Sequence, residues 1–190
     1  MQLELLGRVP VETVLEVGPG LGAVSALLTN AGYALTTLDR LPRQFEQPDV
    51  PHIEVDLLDL EPEQIAGHQA ILCCETLEHL NWEDSARVLG RFHACGAQYL
   101  VTSVPYMGLQ VAFDFYANPH ALRHYFSLKK FSSLRDFKRQ PKHGHQWEVG
   151  YRGYSLRDWE RRIEQAGWRI LEREFTVQCR SVFHLSARIG

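Results

Sequence analysis

Val14-Leu15-Glu16-Val17-Gly18-Pro19-Gly20-Leu21-Gly22 is the stretch from which the rest of the 190-residue chain is read. Val14 to Val17 is a short, largely apolar run and reads as a buried strand. It breaks into glycines at alternate positions and then enters the helix-like segment Ala23 to Leu28. Strand, glycine turn and helix make half of a nucleotide-binding βαβ unit, in which missing side chains let the backbone approach a ligand closely. Glycines also suit any tight strand-to-helix turn, so two further residues carry weight. Glu16 lies within the apolar strand, where an unpaired carboxylate is costly to bury. Near the strand's C-terminal end, it is placed to face a ligand crevice and meet a cation or hydroxyl there. Asp39 closes a second apolar run, Tyr33 to Leu38. An acid about 20 residues after the glycines can accept hydrogen bonds from a ribose diol.

Glu16-x-Gly18-x-Gly20-x-Gly22 with the later Asp39 resembles the class I S-adenosylmethionine (SAM) dependent methyltransferases of the small-molecule type. The resemblance implies that SAM is the cofactor and S-adenosylhomocysteine (SAH) the product. It further implies that Glu16, Gly18, Pro19, Gly20 and Gly22 cradle the methionine end and that Asp39 holds the ribose. Asp56 and Leu57 would flank adenine, and Cys74 and Glu75 would line the crevice opposite the glycine turn. Arg40, beside Asp39, joins this set; as a surface residue it needs no role as a reader of an NADP phosphate. The spacing also fits a relaxed dinucleotide fingerprint, Gly18-x-Gly20-x-x-Ala23, which keeps an NAD(P)-binding oxidoreductase as an alternative.

Further along the chain, strands alternate with helices. His52 to Asp56 reads as a third strand ending on an acid, and Ala70 to Cys74 as a fourth, buried on both faces. Asn81, with Asp84 three residues on, opens a helix carrying Ala86, Val88, Leu89 and Phe92 on one side. Tyr99 to Val104 is a fifth strand, stopped by Pro105. Ser155 with Asp158 opens a late helix that ends at Gly167. Arg169 to Val177 and Arg180 to Ile189 then form a hairpin. The expectation is a three-layer, doubly wound α/β fold with a mostly parallel seven-stranded sheet and an antiparallel last strand. Residues 1–190 would form one domain, with an aromatic-rich insert at 106–154. The family resemblance covers about residues 11–105 and 155–190.

The composition fits a globular chain: 45% hydrophobic and 23% charged residues, with a net charge of −3 that gives no global case for a nucleic-acid or membrane partner. No apolar run approaches the ~20 residues that span a bilayer. Cys73, Cys74, Cys95 and Cys179 form no CxxC pair and no zinc spacing. They read as reduced thiols in a cytoplasmic protein. A cysteine nucleophile of the cytosine C5-methylating kind is rejected at Cys73-Cys74, because the proline that precedes it in those enzymes is absent.

The insert holds eleven of the chain's 20 aromatics and eight basic residues, Arg123, Lys129, Lys130, Arg135, Lys138, Arg139, Lys142 and Arg152, against three acids. Leaving the C-terminal end of strand five, it starts beside the crevice, where long excursions are often lids. Two compatible readings stand: a cap presenting an aromatic wall and a positive field, or a satellite core with a solvated basic face. In the second, Leu128, Phe131, Leu134 and Phe137 lie near helical spacing. A segment so rich in aromatics must pack part of itself on the main domain. Tyr106, Phe113, Phe115, Tyr116 and Trp147 are the expected acceptor wall.

Four residues are candidates for proton handling. His79 belongs to Glu78-His79-Leu80, similar to the Glu-His-Leu or Glu-His-Val found after strand four in many small-molecule methyltransferases. It serves either as a base or only to hold its loop. His143, His145 and Glu148, in His143-Gly144-His145-Gln146-Trp147-Glu148, invite a metal reading, but their spacing matches no metal motif and Asp114 is the sole other nearby ligand type. No metal is expected. The function read from the sequence is SAM-dependent methyl transfer to an oxygen or nitrogen of a small-molecule acceptor, with an anionic acceptor among the options. An RNA or protein methyltransferase using the basic insert is the minority reading.

Overall fold

The most apolar runs become the middle of the sheet. In the computed structural model, which describes residues 1–108, 110–129, 135–139, 144–176 and 180–190, β1 (Thr13–Val17), β4 (Ala70–Cys74) and β5 (Tyr99–Pro105) lie side by side and parallel. β2 (Ala34–Asp39) and β3 (His52–Glu54) extend the parallel sheet on the β1 side. On the other side, β9 (Ser181–Arg188) pairs antiparallel with both β5 and β8 (Trp168–Phe175). The order is β3-β2-β1-β4-β5-β9-β8. β9 is the single antiparallel member, as the sequence predicts.

Successive residues of the central strands go to opposite faces, and both faces are dry. Leu15, Val17, Ile71, Cys73 and Leu100 join a core with Val88, Leu89 and Phe92 of α3 (Trp82–Ala94) and Trp159 and Ile163 of α4 (Leu156–Gln165). Val14, Ala70, Leu72 and Val101 join a second core with Leu5 and Leu6 of α1 (Gln2–Leu6) and Leu28 of α2 (Ala23–Asn30). Helices on both faces of one sheet give the three expected layers.

Local chemistry sets the element ends. Ser155 Oγ accepts a hydrogen bond from the Asp158 amide at 3.1 Å and opens α4. Asn81 behaves differently from expectation: its amide donates to the Asp84 carboxylate at 3.1 Å, without a side-chain bond to the backbone of α3. β3 stops at Glu54, two residues before Asp56, whose carboxylate accepts the Leu58 amide at 2.9 Å in the turn that follows.

Two parts of the insert stand out among its described residues. β6 (Gln110–Asn118) and β7 (Ala121–Lys129) form a separate two-stranded hairpin. Asn118 Oδ1 closes its turn by accepting the His120 and Ala121 amides, both at 2.8 Å. Phe113, Phe115, Leu122 and Phe126 share one face and are exposed. Leu128 therefore lies in a strand rather than a helix, while Phe131 and Leu134 fall outside the described residues, as do Lys130, Lys142, His143 and Cys179. The second part, Gly144 to Tyr154, is a strap against the main domain. Val149 pairs with Tyr106, its amide donating to Pro105 O at 3.0 Å and its carbonyl accepting from the Met107 amide at 2.7 Å. Among the described residues no helix is long and apolar enough to cross a membrane.

Candidate active site

β1 and β4 part company where their ladders end, and the turns that follow them leave a cavity of about 400 Å³ at the carboxyl ends of β1, β2 and β4. A crevice beyond the carboxyl ends of parallel strands is the expected ligand position in an open α/β sheet. The volume lies within the roughly 300–1,000 Å³ typical of small-molecule sites. Its wall contains Val17 and Gly18 from β1 and its turn, Leu38, Asp39 and Arg40 from the end of β2, and Asp56 and Leu57 after β3. Thr76, His79 and Leu80 after β4 complete it with Arg139, Gly144 and Gln146 from the insert.

Six of the sequence candidates thus meet in one place: Gly18, Asp39, Arg40, Asp56, Leu57 and His79. Gly18 is needed for its missing side chain. Its φ is +69°, and a Cβ there would stand 2.5 Å from Thr76 Oγ1, so the glycine turn and the β4 turn can close on one another only as they do. Gly22, at φ +76°, starts α2, and the Phe45 ring covers it closely enough to exclude any Cβ. Gly20 stands open, with φ +54° and nothing within 4 Å of a built Cβ. The Asp39 carboxylate accepts the Leu41 amide at 3.0 Å, which fixes its direction at the cavity wall.

Glu16 sits apart from the cavity wall. It is buried, 5% exposed, but is not among the cavity-lining residues. The hydroxyl it meets belongs to the protein: Ser25 of α2 donates to its Oε2 at 2.5 Å. Burial pushes its pKa up, against the opposing pull of that hydrogen bond. Pro19, Gly20, Gly22, Cys74 and Glu75 also lie off the lining of the cavity. Cys74 is a half-buried thiol whose pKa desolvation raises above the ordinary value, which works against thiolate formation. Glu75 adopts φ +52°, the one positive φ outside glycine among the described residues. Its carboxylate accepts from Ser103 Oγ at 2.8 Å, and burial raises its pKa.

The five residues expected to form the acceptor wall lie off the cavity lining. Trp147 is fully buried and packs in the first core between Trp82 (centroids 4.7 Å apart) and Trp159 (5.3 Å), its indole N–H donating to Leu80 O at 3.1 Å. An indole with both its apolar faces and its N–H satisfied inside the protein has nothing left to offer a ligand. Phe113, Phe115 and Tyr116 sit out on the hairpin, exposed and off the cavity wall. Tyr106 stacks edge-on against Phe175, centroids 5.0 Å apart.

The polar residues after β4 and those of the strap converge. The Gln146 amide donates to Glu78 O at 2.8 Å, stitching strap to turn. His145 Nδ1 lies 2.9 Å from Glu148 Oε1, and the rings of His79 and His145 meet edge to face at 5.0 Å. The His79 pKa is lowered, chiefly by desolvation of its ring and then by the neighbouring His145. Glu78, wholly buried, was not singled out for the site from sequence, nor were Thr76 and Gln146. His143 lies outside the described residues.

No protein-family model and no curated protein matches the chain. Solved structures do. The 1,6-didemethyltoxoflavin-N1-methyltransferase of Burkholderia thailandensis, bound to 1,6-didemethyltoxoflavin and SAH, superposes with a TM-score of 0.64 at 16% identity, covering 100% of this chain and 76% of that one. An SAM-dependent methyltransferase of Mesorhizobium loti gives 0.64 at 13% identity, over 98% and 96% of the two chains. The N-methyltransferase NodS of Bradyrhizobium japonicum, in complex with SAH, gives 0.63 at 13% identity, over 100% and 84%. The chain has the class I SAM-dependent methyltransferase fold. In that fold the cavity lies between the glycine turn of β1 and the acid of β2.

Proposed function

We propose that the protein is an SAM-dependent methyltransferase acting on an oxygen or nitrogen atom of a small-molecule acceptor. The observation that carries this reading is the position of the cavity. It lies at the carboxyl ends of β1, β2 and β4 of a methyltransferase-type sheet, with Gly18, Asp39 and Asp56 in its wall. SAM suits it in size and chemistry: a side-chain-free turn at Gly18, an oriented carboxylate at Asp39 for the ribose hydroxyls, and Leu57 as an apolar flank for adenine. Bound SAM supplies a methyl group that its sulfonium already makes electrophilic. The chain has to hold the acceptor in line, keep water out and, for a protonated acceptor, take up a proton.

The acceptor would enter from the side of His79, Gly144 and Gln146, where the strap closes the cavity. Arg40 and Arg139 in the same wall, beside the acids Asp39 and Asp56, offer guanidinium groups to an acceptor's carboxylate or phosphate. The base of the 106–154 insert, rather than its hairpin, then acts as the cap. A small-molecule acceptor is supported by neighbours such as the didemethyltoxoflavin enzyme.

Calorimetric titration tests the cofactor assignment. SAH should bind in the micromolar range, and Asp39→Ala should weaken it about 10- to 150-fold by removing charge-assisted hydrogen bonds of about 1.5–3 kcal/mol. Binding of NAD or NADP with no response to SAM or SAH would overturn the reading.

A further inference from the structure

We propose that Glu78, His79 and His145 form a binding site for a divalent transition-metal cation at the acceptor end of the cavity. One ligand atom from each of the three lies within 4.8 Å of the other two. Bonds of about 2.0–2.2 Å from imidazole nitrogen and carboxylate oxygen let one ion reach all three with modest side-chain adjustment.

Glu78 carries the argument. It is 0% exposed, and neither carboxylate oxygen has a hydrogen-bond partner among the described residues. Buried charges are normally paired or coordinate a metal. The charged groups that act on Glu78 among the described residues are further acids, Glu75 and Glu148. What the group lacks is a positive charge, and two imidazoles stand where they would help hold one. Glu148 accepts at His145 Nδ1, the carboxylate–imidazole pairing that orients a ligating histidine with Nε2 toward a metal. The His79 ring stands at 80° to that of His145, so the two rings can direct nitrogens to a common point. Hydrogen bonds from Gln146 to Glu78 O and from Trp147 to Leu80 O hold the strap in place just after His145.

Two imidazoles and one carboxylate are borderline ligands that suit manganese, iron, cobalt or zinc better than magnesium or calcium, which favour oxygen. His79 also lines the cavity, so the open side of the ion would face the acceptor. The site does not depend on the methyl-transfer reading, because the metal alone can probe it.

Tag-free protein freed of metal with chelator should bind one cobalt(II) or manganese(II) per chain, read by visible absorption and by electron paramagnetic resonance. Glu78→Gln and His145→Ala should each weaken binding by at least about tenfold. His93→Ala, at a surface histidine bonded to Ile189 O, should leave it unchanged. SAH titration of the same samples reports separately whether each variant is folded and whether the cofactor assignment holds. Wild-type protein that binds neither metal up to millimolar concentration, or Glu78→Gln that binds as tightly as wild type, overturns the site. Glu78 would then be a buried, protonated acid.

Discussion

Gly18 shows at the scale of one residue how much the turn demands. Its positive φ is costly to any L side chain, and its missing Cβ is the space that Thr76 Oγ1 occupies from the β4 side. Gly18→Ala should therefore destabilise the protein by more than about 1 kcal/mol and weaken SAH binding, because both walls of the cavity must shift. Thr76→Ala in that background removes the Oγ1 contact but not the dihedral cost, so it should restore part of the stability. Urea unfolding of the single and double variants measures both terms. Full recovery would mean that the contact, not the backbone, fixes the glycine. Glu16 makes the opposite point. A carboxylate in an apolar strand announces that it has a partner, but sequence does not say which, and the partner is Ser25 on the very next helix.

At the scale of elements, the regular β and α segments were legible because their signals are local. Largely apolar runs mark β1, β4 and β5, and Ser155 with Asp158 marks the start of α4. The insert was not, because aromatic content alone does not say where a ring goes. Trp147 lies in the core among Trp82, Tyr154 and Trp159, whereas Phe113 and Phe115 lie in solvent on an independent hairpin. Each side of that contrast is testable. Trp147→Ala should cost about 3–5 kcal/mol as a large buried truncation. Phe113→Ser with Phe115→Ser should stay within about 0.5 kcal/mol of wild type, as exposed substitutions do. Comparable losses in thermal unfolding would place the hairpin on the main domain. The cluster of Glu78, His79 and His145 escaped for a related reason: its members come from the β4 turn and the strap, and their spacing in sequence has no motif to announce it.

At the scale of the whole molecule, the sheet order explains why residues from the ends of β1, β2, β3 and β4 share one cavity. Strand order runs outward from β1 in one direction through β2 and β3, and in the other through β4 and β5. The chain must therefore leave β1 and β4 toward opposite faces, α2 packing in the second core and α3 in the first. The gap between the two departures is the ligand crevice. A ligand there touches the ends of several strands at once, and its effect on the molecule should be distributed accordingly. SAH at about 100 times its Kd should raise global stability by about 2.7 kcal/mol. Hydrogen exchange should then slow most in peptides covering Val17–Gly22, Leu38–Arg40, Asp56–Leu57 and Thr76–Leu80, the segments around the cavity. The β6–β7 hairpin, which pairs only with itself as a two-stranded sheet, should exchange as it does without ligand. Protection that appeared in the hairpin but not at the glycine turn would move the ligand out of the strand-end crevice and onto the insert's exposed aromatic face.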